Sequence, residues 1–513
     1  MQKKLTAAVL AAAMVVSAAP AVNAQETDSI AIGVSSATYE SLVPWQGATE
    51  YSAMVYEALG AKDEFSGTFY GVMMKDYTQV DEVTYDVTIY DYIYDSAGNH
   101  ITAEDVAFSW NTCQELGELT ETFTVASITA IDDYTVEFVW GSTPALGDFE
   151  AQMGNVVIVS QAAYEASGNG MATAPVGTGR YVVSDWTSGV SMTLTARDDY
   201  WQEEDLCLIN QQKAPVSTVR IDTITESSQL AMALQTGTID ASADVSVDDL
   251  PNFQEGGMYA DQYTVETITG VQGYVLYPNC SEDSPLADEN LRKAVFTAID
   301  KDFLAAAIQG GSCEPLYAMG STKYSDYNEA WSELDYTYDV EKAKEYLAAS
   351  AYPDGVELTL ITPTMGYNED VATILKEQLS AIGITLNIDV QQFSNYLPNE
   401  GDSTAWDFTI AFLSSDDYIT NCWAKYFDID VVGTGLTKNF IYDEELQTLM
   451  DTCTSVDGHT EENIDATWTY IMENAYCYPL ILPSQSVVYN SSKIESIAFS
   501  GMDKFLASGF VYY

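Results

Sequence analysis

Residues 356–390 read VELTLITPTMGYNEDVATILKEQLSAIGITLNIDV. Val356, Leu358 and Leu360 alternate with polar neighbours, the period-two pattern of a strand. Val371, Ile374, Leu375, Leu379 and Ile382 then recur at helical spacing, and Gly383 stands where a helix needs a residue tolerant of left-handed backbone to stop. Ile384, Leu386, Ile388 and Val390 alternate again. Strand, helix and strand in so short a span is the grammar of a right-handed crossover in a mainly parallel sheet. The stretch predicts an α/β fold.

The same grammar recurs upstream. Val219-Arg220-Ile221 reads as a strand, and Ser227 or Ser228 as the cap of a helix with Leu230, Ala231 and Leu234 inward. Gly237 ends that helix, and Ile239-Asp240-Ala241 begins another strand. Leu291, Ala294, Val295, Ala298 and Ile299 mark an amphipathic helix, and Asp339 caps one running to the Pro353-Asp354-Gly355 turn. Near the start the pattern is β-rich. Residues 83–93 alternate as an antiparallel strand, Asp95 to Asn99 is turn chemistry, and Thr102 with Asp105 forms a capping box opening a helix with Val106, Phe108, Trp110 and Cys113.

Composition narrows the function. The 513 residues suggest two or three domains at roughly 100–200 residues each. A hydrophobic share of 47% fills sizeable cores, and 19 Lys+Arg against 77 Asp+Glu gives a net charge of −58. So strong a polyanion is excluded from nucleic acid, whose phosphates require Lys and Arg, and is repelled by anionic membranes. A neutral or cationic partner is expected. Lys3 and Lys4, the apolar run Leu5 to Ala19, Pro20 and Val22-Asn23-Ala24 read as a signal peptide removed after Ala24. The run falls short of the ~20 apolar residues of a spanning helix. The protein is expected to be exported to a periplasmic or other cell-envelope space. No cysteine adjoins the cleavage site, the first being Cys113, so no lipid anchor is expected. The seven cysteines are scattered without a C-x-x-C pair; most read as small buried hydrophobes, with room for one or two bridges of open pairing.

Motifs for chemistry are missing. Two His, at 100 and 459, are too few for a His-based zinc site, and no nucleophile elbow or Walker loop occurs. Gly177-Thr178-Gly179 fails as a dinucleotide fingerprint. Asp428 to Gly433 begins like a calcium loop but has Val432 at its fifth position and Asn439 at its twelfth. No catalytic residue, cofactor or metal is therefore predicted, although a carboxylate pair could hide among so many acids.

Several segments, taken in order, resemble the extracytoplasmic solute-binding proteins of peptide and nickel ABC transporters, family 5. Met54-Val55-Tyr56-Glu57-Ala58-Leu59 is similar to the family's early helix, and Thr84 to Ile89 to its strand. Ile101 to Trp110 (ITAEDVAFSW) resembles the "TAEDV-FSW" signature, the most specific match. Pro175 to Tyr181, with Tyr200-Trp201, resembles "P-GTGPY…YW", Arg180 replacing the usual proline. Ala233 to Ala241, Leu291 to Lys301, Tyr338 to Lys344 and Tyr352 to Gly355 complete the series. The family's His-Asp-Gly turn and its common anchor cysteine are absent.

The resemblance implies a two-lobed, periplasmic-binding-protein-like (class II) α/β fold with a hinge and an extra β-rich subdomain on lobe one. Residues 27–60, 190–275 and 485–513 would form lobe I, 61–189 the subdomain, and 276–484 lobe II. It implies a non-enzymatic receptor, expected as a monomer, that holds a short peptide between the lobes and delivers it to an ABC permease. The same scaffold could hold an oligosaccharide or a metal chelate, and a secreted hydrolase is the remaining alternative. Family peptides meet a carboxylate at their ammonium; Asp416 or Asp417, with Tyr418 and Trp423, is the nearest match here. Tyr39 and Trp45 after the first strand, and Tyr274 and Tyr277 near the hinge, are further expected cleft residues.

Overall fold

A computed structural model of the chain describes residues 28–35, 41–45, 51–63, 67–117, 119, 124–270, 273–412, 418–429, 439–498 and 509–513. The predicted signal segment lies outside them.

Ten strands carry the architecture. Strands β1 (Ser29–Val34), β2 (Thr218–Thr223), β3 (Ala241–Ser242) and β4 (Tyr263–Thr269) come first. The chain then runs through β5 (Tyr274–Pro278), β6 (Val356–Pro363), β7 (Ile384–Gln391), β8 (Phe408–Phe412) and β9 (Tyr478–Leu482), and returns in β10 (Ser484–Asn490). A seven-stranded sheet has the order 181–187, 191–196, β2, β1, β3, β10, β4. A six-stranded sheet has the order 314–315, β9, β5, β8, β6, β7. Strand β1 lies parallel to β2 and β3 in the first, and β6 parallel to β7 and β8 in the second. The parallel strands thus lie at the centre of the first sheet and form one side of the second, where β7 is the edge, and the remaining neighbours in each sheet pair antiparallel.

The decisive stretch folds as its pattern dictates. β6 pairs with β7 from Val356↔Ile384 to Pro363↔Gln391, and the helix Asn368–Ser380 between them buries Val371, Leu375 and Leu379. Gly383 takes φ +88°, the left-handed value that a residue with a Cβ avoids. Asp339 caps the helix Val340–Ala349 by accepting from the N–H groups of Glu341 and Lys342. The helix Ser227–Gln235 instead has Glu226 at its N-cap and no side-chain cap bond, so the expected serine cap is corrected.

Between β1 and β2 lies a four-stranded antiparallel insertion, in the order 74–79, 84–89, 135–140, 125–130. Its strand over residues 84–89 is shorter than the alternation suggested. The capping box forms: Asp105 Oδ2 accepts from Thr102 N at 2.8 Å, and its Oδ1 accepts from Gln161 N at 2.8 Å, tying two helices together. Strand 181–187 belongs to the seven-stranded sheet, although the insertion was expected to run to residue 189.

The recognised motifs turn out to hold the fold. Arg197 Nη2 donates to Asp95 O, and its Nη1 faces the carbonyls of Gly177, Thr178 and Gly179. A Cβ on Gly177 would lie 2.0 Å from Val55 O, so only glycine permits this approach. Buried Glu57 accepts from Tyr200 Oη at 2.5 Å and Trp201 Nε1 at 2.7 Å. Desolvation outweighs those two bonds and the charge of Arg197, holding the Glu57 carboxyl above its ordinary pKa. In the second sheet's core, buried Arg292 donates to the carbonyls of Leu286, Ala287, Asn474 and Ala475. Lys301 pairs with Asp335 at 2.5 Å, and burial lowers its pKa to about 8. None of the seven cysteines is joined in a disulfide.

Glu57 yields a pH signature. The folded protein keeps its proton where the unfolded chain has released one, so this group's contribution to stability falls as pH rises through and above the usual carboxylate range. Glu57→Gln, neutral at every pH, is expected to flatten the decline in melting temperature as pH rises above the usual carboxylate range. A slope identical to that of the parent would contradict the assignment.

Candidate functional site

The chain passes from one sheet to the other twice, between β4 and β5 and at Pro483 between β9 and β10. The two crossings are tied: Gly270 N donates to Pro483 O at 2.9 Å. Lobe II braces them, with Ser321 Oγ donating to Gly270 O, Gln309 Nε2 to Ser484 O at 2.7 Å, and Ser484 N to Gln309 Oε1.

Register fixes which edges face this hinge. Tyr274, the first residue of β5, pairs with Phe412, the last of β8, so the carboxyl ends of β6, β7 and β8 lie at the hinge edge. Thr269 pairs with Ser484, and β3 runs antiparallel to β10, so β3 and its parallel neighbours β1 and β2 also end there. Ligands of open α/β sheets bind outside the carboxyl ends of strands. Here two such edges flank one hinge, and the groove between them is the candidate site. Ser35 N donates to the exposed carboxylate of Asp244 at 2.7 Å, linking the exits of β1 and β3. On lobe II, Thr364 N donates to Gln391 O at 2.8 Å, linking the exits of β6 and β7. Asp244 was not singled out from the sequence; its neighbourhood depends on β1 and β3 being adjacent, which no local pattern reveals.

A further contact joins the insertion to lobe II. Leu146 N donates to Thr454 O at 3.2 Å, and Asn421 Nδ2 donates to Leu146 O at 2.8 Å. Asn421 lies on the helix Ile419–Phe427, whose first turn is capped from outside by Asp326, accepting from Ile419 N at 2.9 Å.

Tyr39, Asp416 and Asp417 fall outside the described residues. Tyr418 is half-buried at the N-cap of helix Ile419–Phe427, its ring edge-on to His459 at 5.0 Å. Burial raises its pKa, helped by the charges of Glu150 and Asp326. The other four expected cleft residues are core, which is a correction. Trp45 is 1% exposed, with Nε1 donating to Val157 O and its ring against Tyr164. Trp423 is fully buried against Trp468 and Trp331, and donates to Met319 O. Buried Tyr274 accepts from Tyr367 N through its hydroxyl, and buried Tyr277 stacks on Tyr426 at 5.1 Å. These rings offer no surface to a ligand. Among the described residues, no three His, Cys, Asp or Glu side chains are grouped to hold a metal ion. No helix of the described residues is long and apolar enough to cross a membrane.

Two α/β lobes on a two-strand hinge, with the carboxyl edges of their parallel strands turned toward it, define a periplasmic-binding-protein-like fold. The chain belongs to the bacterial extracellular solute-binding proteins, family 5, whose model matches residues 68–425. It is 25% identical over 297 residues to heme-binding protein A of Haemophilus influenzae, covering 55% of this chain and 51% of that protein. It is 24% identical over 356 residues to oligopeptide-binding protein AppA of Bacillus subtilis, covering 64% and 61%. The matches thus span between half and two thirds of these relatives. The structure of Helicobacter pylori DppA in complex with peptide STSA superposes with a TM-score of 0.75 at 21% identity, covering 94% of this chain and 98% of that one.

The packing assignment of Trp423 is testable. Trp423→Phe, which removes the indole donor and leaves space beside Trp468, is expected to cost about 1–3 kcal/mol in denaturant unfolding. Ligand affinity of the folded variant is expected to stay within about twofold, well under 1 kcal/mol. A large affinity loss at unchanged stability would return Trp423 to the groove.

Proposed function

We propose that the protein is an extracytoplasmic receptor that closes on a short peptide and passes it, chemically unaltered, to an ABC permease. The observation carrying this reading is the convergence of both parallel-strand edges on one two-strand hinge. Closure on such a hinge follows when a ligand touches both lobes only in the shut form, since a ligand shifts an equilibrium by its differential affinity alone. The division into lobe I, insertion and lobe II, the exported location and a monomeric state belong to the same proposal. The oligosaccharide alternative is the weaker one, because Trp45 and Trp423, the tryptophans expected to line the cleft and stack on sugar rings, are buried.

Asp417, with Asp416 next to it in sequence, is assigned to the peptide ammonium on the family resemblance of the segment before Tyr418 alone. Micromolar binding needs about 8 kcal/mol. A charge-assisted pair plus backbone hydrogen bonds along an extended peptide can supply it, provided the charges are fully paired. Asp417→Ala is expected to weaken peptides with a free amino terminus at least tenfold more than their N-acetylated counterparts, read by calorimetry; tenfold corresponds to about 1.4 kcal/mol. Equal losses for both would remove that residue from the site. Retention of the peptide reading itself requires a melting-temperature rise with some peptide of the set, since selective binding stabilises the folded state.

A further inference from the structure

Lobe II grips lobe I at one residue. Ser484 opens β10 and pairs with Thr269 of β4, while the neighbouring Gly270 N donates to Pro483 O. Bonded and non-bonded pairs alternate along an antiparallel ladder, so the N–H and C=O of Ser484 point away from β4. On that far side β3 meets β10 at Val488 and Tyr489, and among the described residues no strand of the first sheet reaches Ser484 there. Gln309 of lobe II fills the place. Its Nε2 donates to Ser484 O at 2.7 Å, and its Oε1 accepts from Ser484 N at 3.1 Å. One side-chain amide thus pairs with the backbone as a neighbouring strand would. Ser484 Oγ adds a bond to Ser312 O, also of lobe II.

The backbone beneath that amide is strained. Residues 309–311, Gln-Gly-Gly, turn the chain from the helix Lys301–Ala307 toward the short strand Glu314–Pro315, with φ of +51°, +64° and +85°. Glycine adopts such values freely, and a residue with a Cβ does not. Gly310 and Gly311 follow that rule and Gln309 breaks it. Strain of this kind persists where surrounding contacts over-determine it, and it clusters at functional positions. What glutamine adds here is the reach of its amide.

Two further contacts hold the amide. Cys313 Sγ donates to the same Oε1 at 3.5 Å. Burial raises the pKa of Tyr367, on the loop leaving β6, and a hydrogen bond from the Gln309 side chain opposes that rise. Tyr367 N in turn donates at 2.7 Å to the hydroxyl of Tyr274, where β5 begins. Gln309 therefore links the second crossing to the start of the first strand of lobe II.

Resting on the closure reading above, we propose that Gln309 is the positioning residue of closure: its amide moors β10 to lobe II at Ser484 in the open and the shut form alike, so the lobes turn about this point and their carboxyl edges meet in one alignment. The mooring acts through β10 and not through the ligand. Its loss leaves each lobe intact and widens the range of angles open to the unliganded protein. Closure then costs more conformational entropy, whatever the ligand.

The test compares the full-length mature parent with Gln309→Gly and Gln309→Asn, using two pentapeptides of unrelated sequence, Lys-Leu-Phe-Lys-Ala and Gly-Ser-Glu-Thr-Ala. Melting temperature, calorimetric affinity and small-angle scattering are read for each. Gln309→Gly is expected to melt within a few degrees of the parent, the relaxed backbone offsetting the lost bonds. It is expected to bind each peptide that the parent binds about three- to tenfold more weakly, by the same factor, and to show a larger radius of gyration without ligand. Gln309→Asn tolerates left-handed backbone and keeps an amide, but is one methylene too short to reach Ser484; the same loss is expected of it. Folded variants with the parent's affinity and ligand-free scattering would overturn the proposal, leaving Gln309 a role in fold stability alone. Losses that differ tenfold between the peptides would also overturn it, by placing Gln309 against the ligand. A melting temperature of Gln309→Gly far below the parent's would overturn the strain argument. A parent that contracts with neither peptide would overturn the closure reading itself, and this proposal with it.

Discussion

Everything in this molecule hangs on a double crossing. The chain leaves the first sheet after Thr269, enters the second at Tyr274, and comes back through Pro483 alone. One backbone hydrogen bond, Gly270 N to Pro483 O, ties the crossings, and Gln309 and Ser321 of lobe II brace them. So narrow a connection lets two rigid sheets change their mutual angle through a few residues. It also fixes orientation: strands that pair beside the crossing must present their carboxyl ends to it. The groove is thus a consequence of strand register at Tyr274 and Ser484. The contact of Leu146 with Asn421 and Thr454 adds a weaker bond across the same divide, from the insertion.

Much of the fold was legible because it is written in local periodicity. Residues 356–390 announced their own strand–helix–strand unit, and Thr102 with Asp105 and Asp339 announced helix starts, because caps act over three residues. The motifs that resembled a family did so for structural reasons. Glycines 177 and 179 must be small to let Val55 approach, and Glu57 must meet Tyr200 and Trp201 in a dry core. Such constraints bind distant segments together, so they recur as spaced words. They specify the scaffold and say nothing of the guest.

The site was less legible for the same reason. An aromatic residue near a strand end looks alike whether it lines a groove or fills a core. Trp45, Trp423, Tyr274 and Tyr277 fill cores, their polar atoms or ring faces satisfied by Val157, Met319, Tyr367 and Tyr426. Asp244 went unnoticed among 77 acids because its meaning arises only when β1 and β3 lie side by side.

The central claim is mechanical: two rigid lobes pivot on the paired crossings and enclose a small molecule that departs unchanged. Small-angle scattering of the protein without ligand and with a saturating, tightly bound pentapeptide tests it most directly, with mass spectrometry of the peptide recovered afterwards. The account predicts a smaller radius of gyration with peptide and a peptide of unaltered mass. Superimposable scattering curves at saturation, or recovery of cleaved fragments, would contradict it.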